Sequence, residues 1–278
     1  MNSTSRVWRT TGLLSLLSTI LLIAGFLYAV KDVIAPGAAS TAGDEAGFNQ
    51  GTAVGSGEES GVPPSEDAKL LNVTAIGDSL AKGTGDDTGK GFARRFVELA
   101  KEQGADSKLV NNLGINGLTT AGLLELLKEK GVQYSLGQAD IIVMSIGGND
   151  LFDGAESLQT AGRLPTEAEL EKSVTEASER LGEIADTILE INPRAQLVYI
   201  SLYNPFSDLP GMRKIGDEAV ARWNHIAMDL LRQRDRTLVV PTFDLFTYNS
   251  QKYLASDHFH PNGAGYQIIA ERMIQGIH

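Results

Sequence analysis

Apolar and polar positions divide the chain into three zones. Residues 12–30 are almost entirely apolar, residues 31–68 carry few large apolar side chains, and residues 69–278 alternate between apolar runs and amphipathic stretches. A segment poor in large apolar side chains cannot offset the conformational entropy that it loses on folding. We therefore expect one folded domain, over residues 69–278.

Within the third zone, five short apolar runs alternate with stretches of helical periodicity. Continuous apolar runs are typical of the buried strands of a parallel sheet. The strands are predicted at 70–77, 108–114, 139–147, 195–203 and 237–243. The helices are predicted at 92–104, 119–131, 166–191, 214–233 and 263–276. This order predicts an α/β domain whose parallel sheet is covered by helices on both faces.

The apolar zone at 12–30 is long enough to cross a membrane, since about 20 apolar residues span a bilayer as a helix. Arg6 and Arg9 precede it and favour a cytoplasmic location for residues 1–11. The alternative is a cleaved signal peptide, whose apolar core is usually shorter. The first interpretation predicts a single-pass protein of the cell membrane with an extracytoplasmic domain, and the second predicts a secreted protein.

Residues 31–68 are rich in Gly, Ala, Ser and acidic residues, which predicts a disordered linker. The whole chain has a formal net charge of −11 and no cysteine. An acidic chain without a basic cluster argues against nucleic-acid binding, which needs Lys and Arg against the phosphates. The lack of cysteine excludes disulfides, thiolate metal sites and cysteine nucleophiles. Histidine-dependent chemistry must come from His225, His258, His260 or His278.

Four polar, glycine-rich stretches follow the predicted strands. They are GDS at 77–79, NLGINGLT at 112–119, GGND at 147–150 and SDHFHPNG at 256–263. In an open parallel sheet, ligands bind beyond the carboxyl ends of the strands. We therefore expect the four stretches to meet at one edge of the sheet and to form a site there.

The first and last of these stretches contain the side chains of nucleophilic catalysis. A serine hydroxyl becomes an effective nucleophile when a histidine takes its proton and a carboxylate orients the imidazole ring. Ser79, His260 and Asp257 are the candidates for these three roles, because Asp257 lies three residues before His260 and can reach its ring from one turn. His258 alternates with His260 and is expected to point elsewhere.

Acyl transfer also needs hydrogen-bond donors for the oxyanion that develops on the substrate. The candidates are the backbone N–H of Ser79, the backbone N–H of Gly117 and the side-chain amide of Asn149. A glycine at 117 lets the backbone approach a substrate closely. Gly114 lies in the same turn and is the alternative to Gly117.

Four motifs resemble those of the SGNH hydrolases, also called GDSL lipases and esterases. They are GDSL at 77–80, NGLT at 116–119, GGND at 147–150 and DHFH at 257–260, and they occur in the order and approximate places of that family. The resemblance covers essentially all of residues 69–278. It implies a flavodoxin-like three-layer α/β/α sandwich with a five-stranded parallel sheet, which the predicted transmembrane helix precedes.

The resemblance also implies an activity, the cleavage of carboxylic esters by a serine hydrolase without metal or organic cofactor. It implies Ser79 as nucleophile, His260 as base and Asp257 as the carboxylate that orients it. It implies that Ser79, Gly117 and Asn149 form the oxyanion hole.

The sequence does not distinguish between three classes of substrate, namely a small-molecule, a lipid and a glycan ester. Apolar side chains near the site would suit an acyl chain or could equally belong to the core, namely Leu118, Leu151, Phe152 and Phe206. One alternative is a deacetylase of O-acetylated cell-envelope polysaccharide that uses the same site, and another is a non-catalytic, membrane-tethered binding domain. Residues 83–91 lack the spacing of a phosphate-binding loop, and we expect them to form a mobile loop at the mouth of the site.

Overall fold

Five parallel strands form the central sheet in the computed structural model, which describes residues 70–152 and 165–277. The strands are β1 (Leu71–Gly77), β2 (Ser107–Gly114), β3 (Ile141–Ser145), β4 (Gln196–Ile200) and β5 (Thr237–Val240). Their order across the sheet is β2-β1-β3-β4-β5, and every neighbouring pair is parallel. The five predicted strands are confirmed, with ends that differ by a few residues.

Helices connect the strands and cover both faces of the sheet, which makes the domain a three-layer α/β sandwich. The first five described helices are α1 (Ser79–Lys82), α2 (Gly91–Glu102), α3 (Thr120–Leu126), α4 (Lys130–Gly137) and α5 (Gly148–Phe152). The others are α6 (Glu167–Ile191), α7 (Pro210–Leu231), α8 (Phe243–Thr247), α9 (Ser250–Tyr253) and α10 (Gly263–Ile277).

Two hydrophobic cores lie on opposite faces of the sheet, because successive side chains of a strand point in opposite directions. In β3, Ile142 and Met144 pack into a core with α3, α4, α6 and α7. Ile141 and Val143 of the same strand pack into the other core, with α2 and α10. The continuous apolar run of this strand is therefore explained by burial on both faces.

The predicted helix over 119–131 is wrong in its extent, because the chain forms two helices there. α3 ends at Leu126, and Glu129 has extended backbone before α4 begins. The side-chain amide of Gln133 donates to the carbonyl of Leu127, which satisfies a group that the interrupted helix leaves free. Leu127 and Leu136 are both buried in the same core, and the break lets each of them reach it.

The predicted membrane anchor at 12–30 and linker at 31–68 lie outside the described residues and stay predictions. Within residues 70–152 and 165–277, none of the helices combines the length and the apolar character that a membrane crossing requires.

The loop at 83–91 between α1 and α2 is held by a buried carboxylate, and this differs from the mobile loop that the sequence suggests. Asp86 accepts hydrogen bonds from the backbone N–H and hydroxyl of Thr88 and from the backbone N–H of Gly91. Its Oδ2 also forms an ion pair with Arg95 of α2, at 3.1 Å. Near the beginning of the loop, the carbonyl of Thr84 accepts a hydrogen bond from the hydroxyl of Tyr266 of α10. These contacts fix the path of the loop.

Burial acts to raise the pKa of Asp86, but the hydrogen bonds from Thr88, Gly91 and Arg95 outweigh it and hold that pKa below its ordinary value. A carboxyl whose pKa is lower in the folded protein stabilises it above the unfolded pKa of about 3.9. This contribution is lost as the pH falls below that value through the folded pKa.

We therefore expect Asp86→Asn to lower the free energy of unfolding at pH 7 by about 2 kcal/mol, since it removes charge-assisted hydrogen bonds. Urea unfolding of both proteins should show this difference unchanged from pH 7 to 5 and shrinking as the pH falls from 4 towards 3. Asp87→Asn, at the neighbouring exposed carboxylate, serves as the control and should change stability by less than about 0.5 kcal/mol. A difference that grows on acidification would contradict the assignment.

Candidate active site

The carboxyl end of β1 approaches β3 too closely for any side chain at Gly77. A Cβ atom there would lie 1.8 Å from the carbonyl oxygen of Ser145, and the φ of +131° is one that only glycine adopts readily. The next residue, Asp78, donates its backbone N–H to the same carbonyl, at 3.0 Å. The chain is thus held on β3 up to the residue before Ser79.

Asp78 fixes the turn from β1 into α1. Its Oδ1 accepts the hydroxyl of Ser145 at 2.7 Å and the backbone N–H of Leu80 at 3.0 Å, so the side chain caps the helix. Burial raises the pKa of this carboxyl above its ordinary value. Ser79 is the first residue of α1, and its backbone N–H is therefore one of the groups that a helix start leaves without an intrahelical partner.

The structure brings Ser79, His260 and Asp257 together in one chain of hydrogen bonds. His260 Nε2 lies 2.8 Å from Ser79 Oγ, and His260 Nδ1 lies 2.6 Å from Asp257 Oδ2. With the ring proton on Nδ1, the carboxylate accepts it and leaves Nε2 free to accept the serine proton. This arrangement can make the Ser79 hydroxyl a nucleophile.

A tight loop presents Asp257 and His260 to the serine. An antiparallel bridge between Leu254 and Pro261 closes it. Asp257 does not cap α10; its Oδ1 accepts the backbone N–H groups of Phe259 and His260, each at 3.0 Å. Partial burial acts to raise the pKa of Asp257, and the hydrogen bonds from the His260 ring and the two N–H groups outweigh it, so the pKa lies below its ordinary value.

The other histidines described by the structure take no part in this chain of hydrogen bonds. His258 is exposed and has a φ of +54°, so the loop turns its side chain away from the position that His260 occupies. His225 lies on the exposed surface of α7, 3.5 Å from Asp229. The exposure of His258 agrees with the expectation that it points away from the site.

The loop that contains Gly117 and the helix that contains Asn149 are joined directly. Asn149 is the second residue of α5, which follows β3, and its Nδ2 donates to the carbonyl of Leu118 at 2.9 Å. Gly117 is exposed with a φ of +75°, and no atom lies within 4 Å of where its Cβ would be. The backbone is therefore open to an approaching group at Gly117.

Gly114 has a different environment from Gly117. Its backbone N–H donates to Asn112 Oδ1 at 3.0 Å. A Cβ on Gly114 would lie 2.2 Å from the backbone nitrogen of Lys82, so this glycine allows β2 to pack against α1.

A narrow, mostly apolar pocket opens beside these groups, with a volume of about 30 Å³. It borders both neighbours of the serine in sequence, Asp78 and Leu80, and it also borders Asn149. The other residues that line it are Gly148, Phe152, Leu202, Tyr203, Pro205 and Phe259. Phe206 is not among them and packs edge-on against Phe152 from outside, with ring centroids 5.3 Å apart.

Three supporting residues escape recognition from the sequence. Gly85 lies against the histidine, since a Cβ there would be 2.8 Å from His260 Cβ. Thr120 and Arg180 form a polar cluster with Asp150, which follows Asn149. The one sequence signal for this cluster is that Asp150 belongs to the GGND motif. Among the described residues, no three His, Asp or Glu side chains converge as a metal ion would require.

The chain resembles known proteins over most of its length. Residues 75–268 match the model of the GDSL-like lipase/acylhydrolase family. The uncharacterised protein YpmR of Bacillus subtilis (strain 168) is 35% identical over 209 residues, which cover 74% of this chain and 80% of YpmR. The spore germination lipase LipC of Bacillus licheniformis is 26% identical over 73% of this chain and 94% of LipC.

A solved structure agrees with these sequence matches. The lipase Lip_vut3 from a goat rumen metagenome superimposes with a TM-score of 0.64 and 25% sequence identity, over 74% of this chain and 96% of the lipase. The motifs, the fold and these similarities agree with one another, and the chain belongs to the GDSL-like lipase/acylhydrolase (SGNH hydrolase) family of ester-cleaving hydrolases.

Proposed function

We propose that this protein is a serine carboxylesterase in which Ser79, His260 and Asp257 form the catalytic triad. The observation that carries the proposal is the continuous path from Ser79 Oγ through the imidazole to Asp257, with distances of 2.8 and 2.6 Å. A serine, a histidine and a carboxylate in this order are the groups that general-base activation of a hydroxyl needs.

In the first half of the reaction, Ser79 Oγ attacks the carbonyl carbon of the ester while His260 Nε2 accepts the hydroxyl proton. Asp257 stabilises the imidazolium that results. When the tetrahedral intermediate collapses, the bond to the leaving alcohol breaks and His260 gives its proton to that oxygen. The acyl group then remains on Ser79 as an ester.

In the second half, water attacks the acyl-enzyme and His260 takes the proton of the water. A second tetrahedral intermediate collapses, the carboxylic acid leaves, and the proton returns to Ser79 Oγ. The protein is regenerated with a proton on the serine hydroxyl that comes from the water, because the original proton left with the alcohol.

The oxyanion of both intermediates accepts hydrogen bonds from Ser79 N–H, Gly117 N–H and Asn149 Nδ2 in this proposal. Asn149 donates one amide hydrogen to Leu118 and has a second for the substrate. Gly117 is preferred to Gly114, because the N–H of Gly114 already has Asn112 as its acceptor. Both backbone donors are fixed by the fold, as electrostatic stabilisation of a transition state requires.

We expect Ser79→Ala and His260→Ala each to lower kcat for p-nitrophenyl acetate by at least about 10³-fold, because each removes a member of the triad. His258→Ala is the matched control and should keep kcat within about twofold, since that side chain faces solvent. Purified variants with the circular dichroism of the wild type should be compared. Turnover retained in Ser79→Ala, or lost equally in His258→Ala, would contradict the proposed triad.

The pocket beside Ser79 is proposed to take the acyl group. It borders the serine through Asp78 and Leu80, and the proposed oxyanion hole through Asn149. A water molecule needs at least about 10–15 Å³ of a cavity, so about 30 Å³ accepts a group of two or three heavy atoms. This is the size of an acetyl group, so the pocket favours acetyl esters over esters of longer acids.

We propose as a second, more specific function the removal of acetyl groups from an O-acetylated polysaccharide of the cell envelope, for which the pocket size supports the acetyl part. The acetyl group would occupy the pocket, and the sugar would remain outside it as the leaving alcohol. A long-chain lipid ester fits the pocket less well.

We expect kcat/KM to fall by at least about tenfold from p-nitrophenyl acetate to the octanoate, since a filled pocket rejects added methylene groups. Phe152→Leu should raise the octanoate-to-acetate ratio by about threefold, because it removes part of the pocket wall. Phe96→Leu is the matched control in the opposite core, at the same 2% exposure, and should leave the ratio unchanged. Octanoate as the best substrate of the wild type would overturn the short-acyl proposal.

A further inference from the structure

A buried polar cluster joins the two segments that carry the proposed oxyanion donors. Asp150 Oδ2 accepts the backbone N–H of Thr120 at 2.9 Å, and its Oδ1 accepts the hydroxyl of Thr120 at 2.6 Å. Arg180 of α6 donates from Nε to the Thr120 hydroxyl at 2.8 Å and from Nη2 to Asp150 Oδ1 at 3.3 Å. Thr120 is fully buried, and the Asp150 side chain is 5% exposed.

The members of this cluster are close in sequence to the proposed oxyanion donors. Asp150 directly follows Asn149, and Thr120 begins α3, three residues after Gly117. Asn149 is itself bonded to Leu118. Two parallel links therefore hold the Gly117 loop to the start of α5, one through Asn149 and one through Asp150.

We infer that Asp150, Thr120 and Arg180 are positioning residues that set the separation between the Gly117 N–H and the Asn149 amide. The inference rests on the oxyanion hole of the proposed function. Thr120 is the central member, because its hydroxyl donates to Asp150 and accepts from Arg180 at the same time.

The chemistry of the cluster suits this role better than a general contribution to stability. The Asn149–Leu118 hydrogen bond by itself fixes only one point between the loop and α5. The carboxylate fixes a second point, and the guanidinium holds the carboxylate from a third element, α6. Small displacements of preorganised donors lower the rate of the chemical step, since a shift of about 1 Å can cost 10²-fold.

The test uses Thr120→Val, which keeps the shape of the side chain and removes its hydroxyl, and Thr120→Ser, which restores the hydroxyl. Asp186→Asn is the matched control, because Asp186 lies on the same helix α6 and forms an ion pair with Arg234, which follows α7, away from the site. The kcat for p-nitrophenyl acetate is normalised to active sites titrated with a fluorophosphonate. Binding of an alkyl boronic acid, whose adduct with Ser79 places an oxygen in the oxyanion hole, is measured in parallel.

We expect Thr120→Val to lower titrated kcat by about tenfold and to weaken boronate binding by a similar factor. The KM should stay within about twofold, and the pH dependence of kcat/KM should be unchanged because the His260 loop is untouched. Thr120→Ser and Asp186→Asn should behave as the wild type. A loss of thermal stability in Thr120→Val without a change in titrated kcat or boronate binding would overturn the inference.

Asn149→Ala separates failure of this inference from failure of the proposed function. If Asn149→Ala lowers kcat and Thr120→Val does not, only the positioning role is wrong. If Asn149→Ala leaves kcat unchanged, the oxyanion hole itself is wrongly assigned, and the positioning role is overturned with it.

Discussion

The pairing of β1 with a parallel strand on each side fixes the position of Ser79. Gly77 at the end of β1 is opposite Gly114 of β2 and Ser145 of β3. The three strands therefore end at one level, and the chain after each of them emerges at the same edge of the sheet. The serine, the glycine loop and the asparagine are neighbours because of this register, although the serine and the asparagine are 70 positions apart in the sequence.

Much of the fold was predictable from the sequence because burial on both faces leaves a strong signal. The apolar run of β3 and the regular alternation of strands and helices required no knowledge of contacts. The break between α3 and α4 was not predictable in this way, because it depends on Leu127 and Leu136 reaching one core and on a side-chain amide from a later residue. Helix periodicity continues across 119–131 and carries no sign of the interruption.

The candidate site also contains residues that the sequence predicts and residues that only the structure reveals. Ser79 and Asn149 closely follow glycines at the ends of β1 and β3, and Asp257 and His260 lie in a polar stretch before Pro261, so these polar residues are conspicuous in the sequence. Thr120, Arg180 and Arg95 lie in ordinary helical sequence and are recognisable only through their partners. Asp86 and Asp150 are bound in a similar way: each accepts a backbone N–H at a helix start and pairs with an arginine, which lies on the same helix for Asp86 and on a different helix, α6, for Asp150. Carboxylates near the site thus hold loops as well as serving the proposed chemistry.

The two ends of the domain meet at the serine. Ser79 comes from the first strand, whereas its partner His260 lies 181 residues later, directly before the last helix. The ribosome therefore completes almost the entire domain before it adds His260, and α10 packs on the loop that follows the first helix through the hydrogen bond between Tyr266 and Thr84. A growing chain therefore carries Ser79 well before its histidine partner, so the hydrogen bond between them forms only once almost the entire domain has been made.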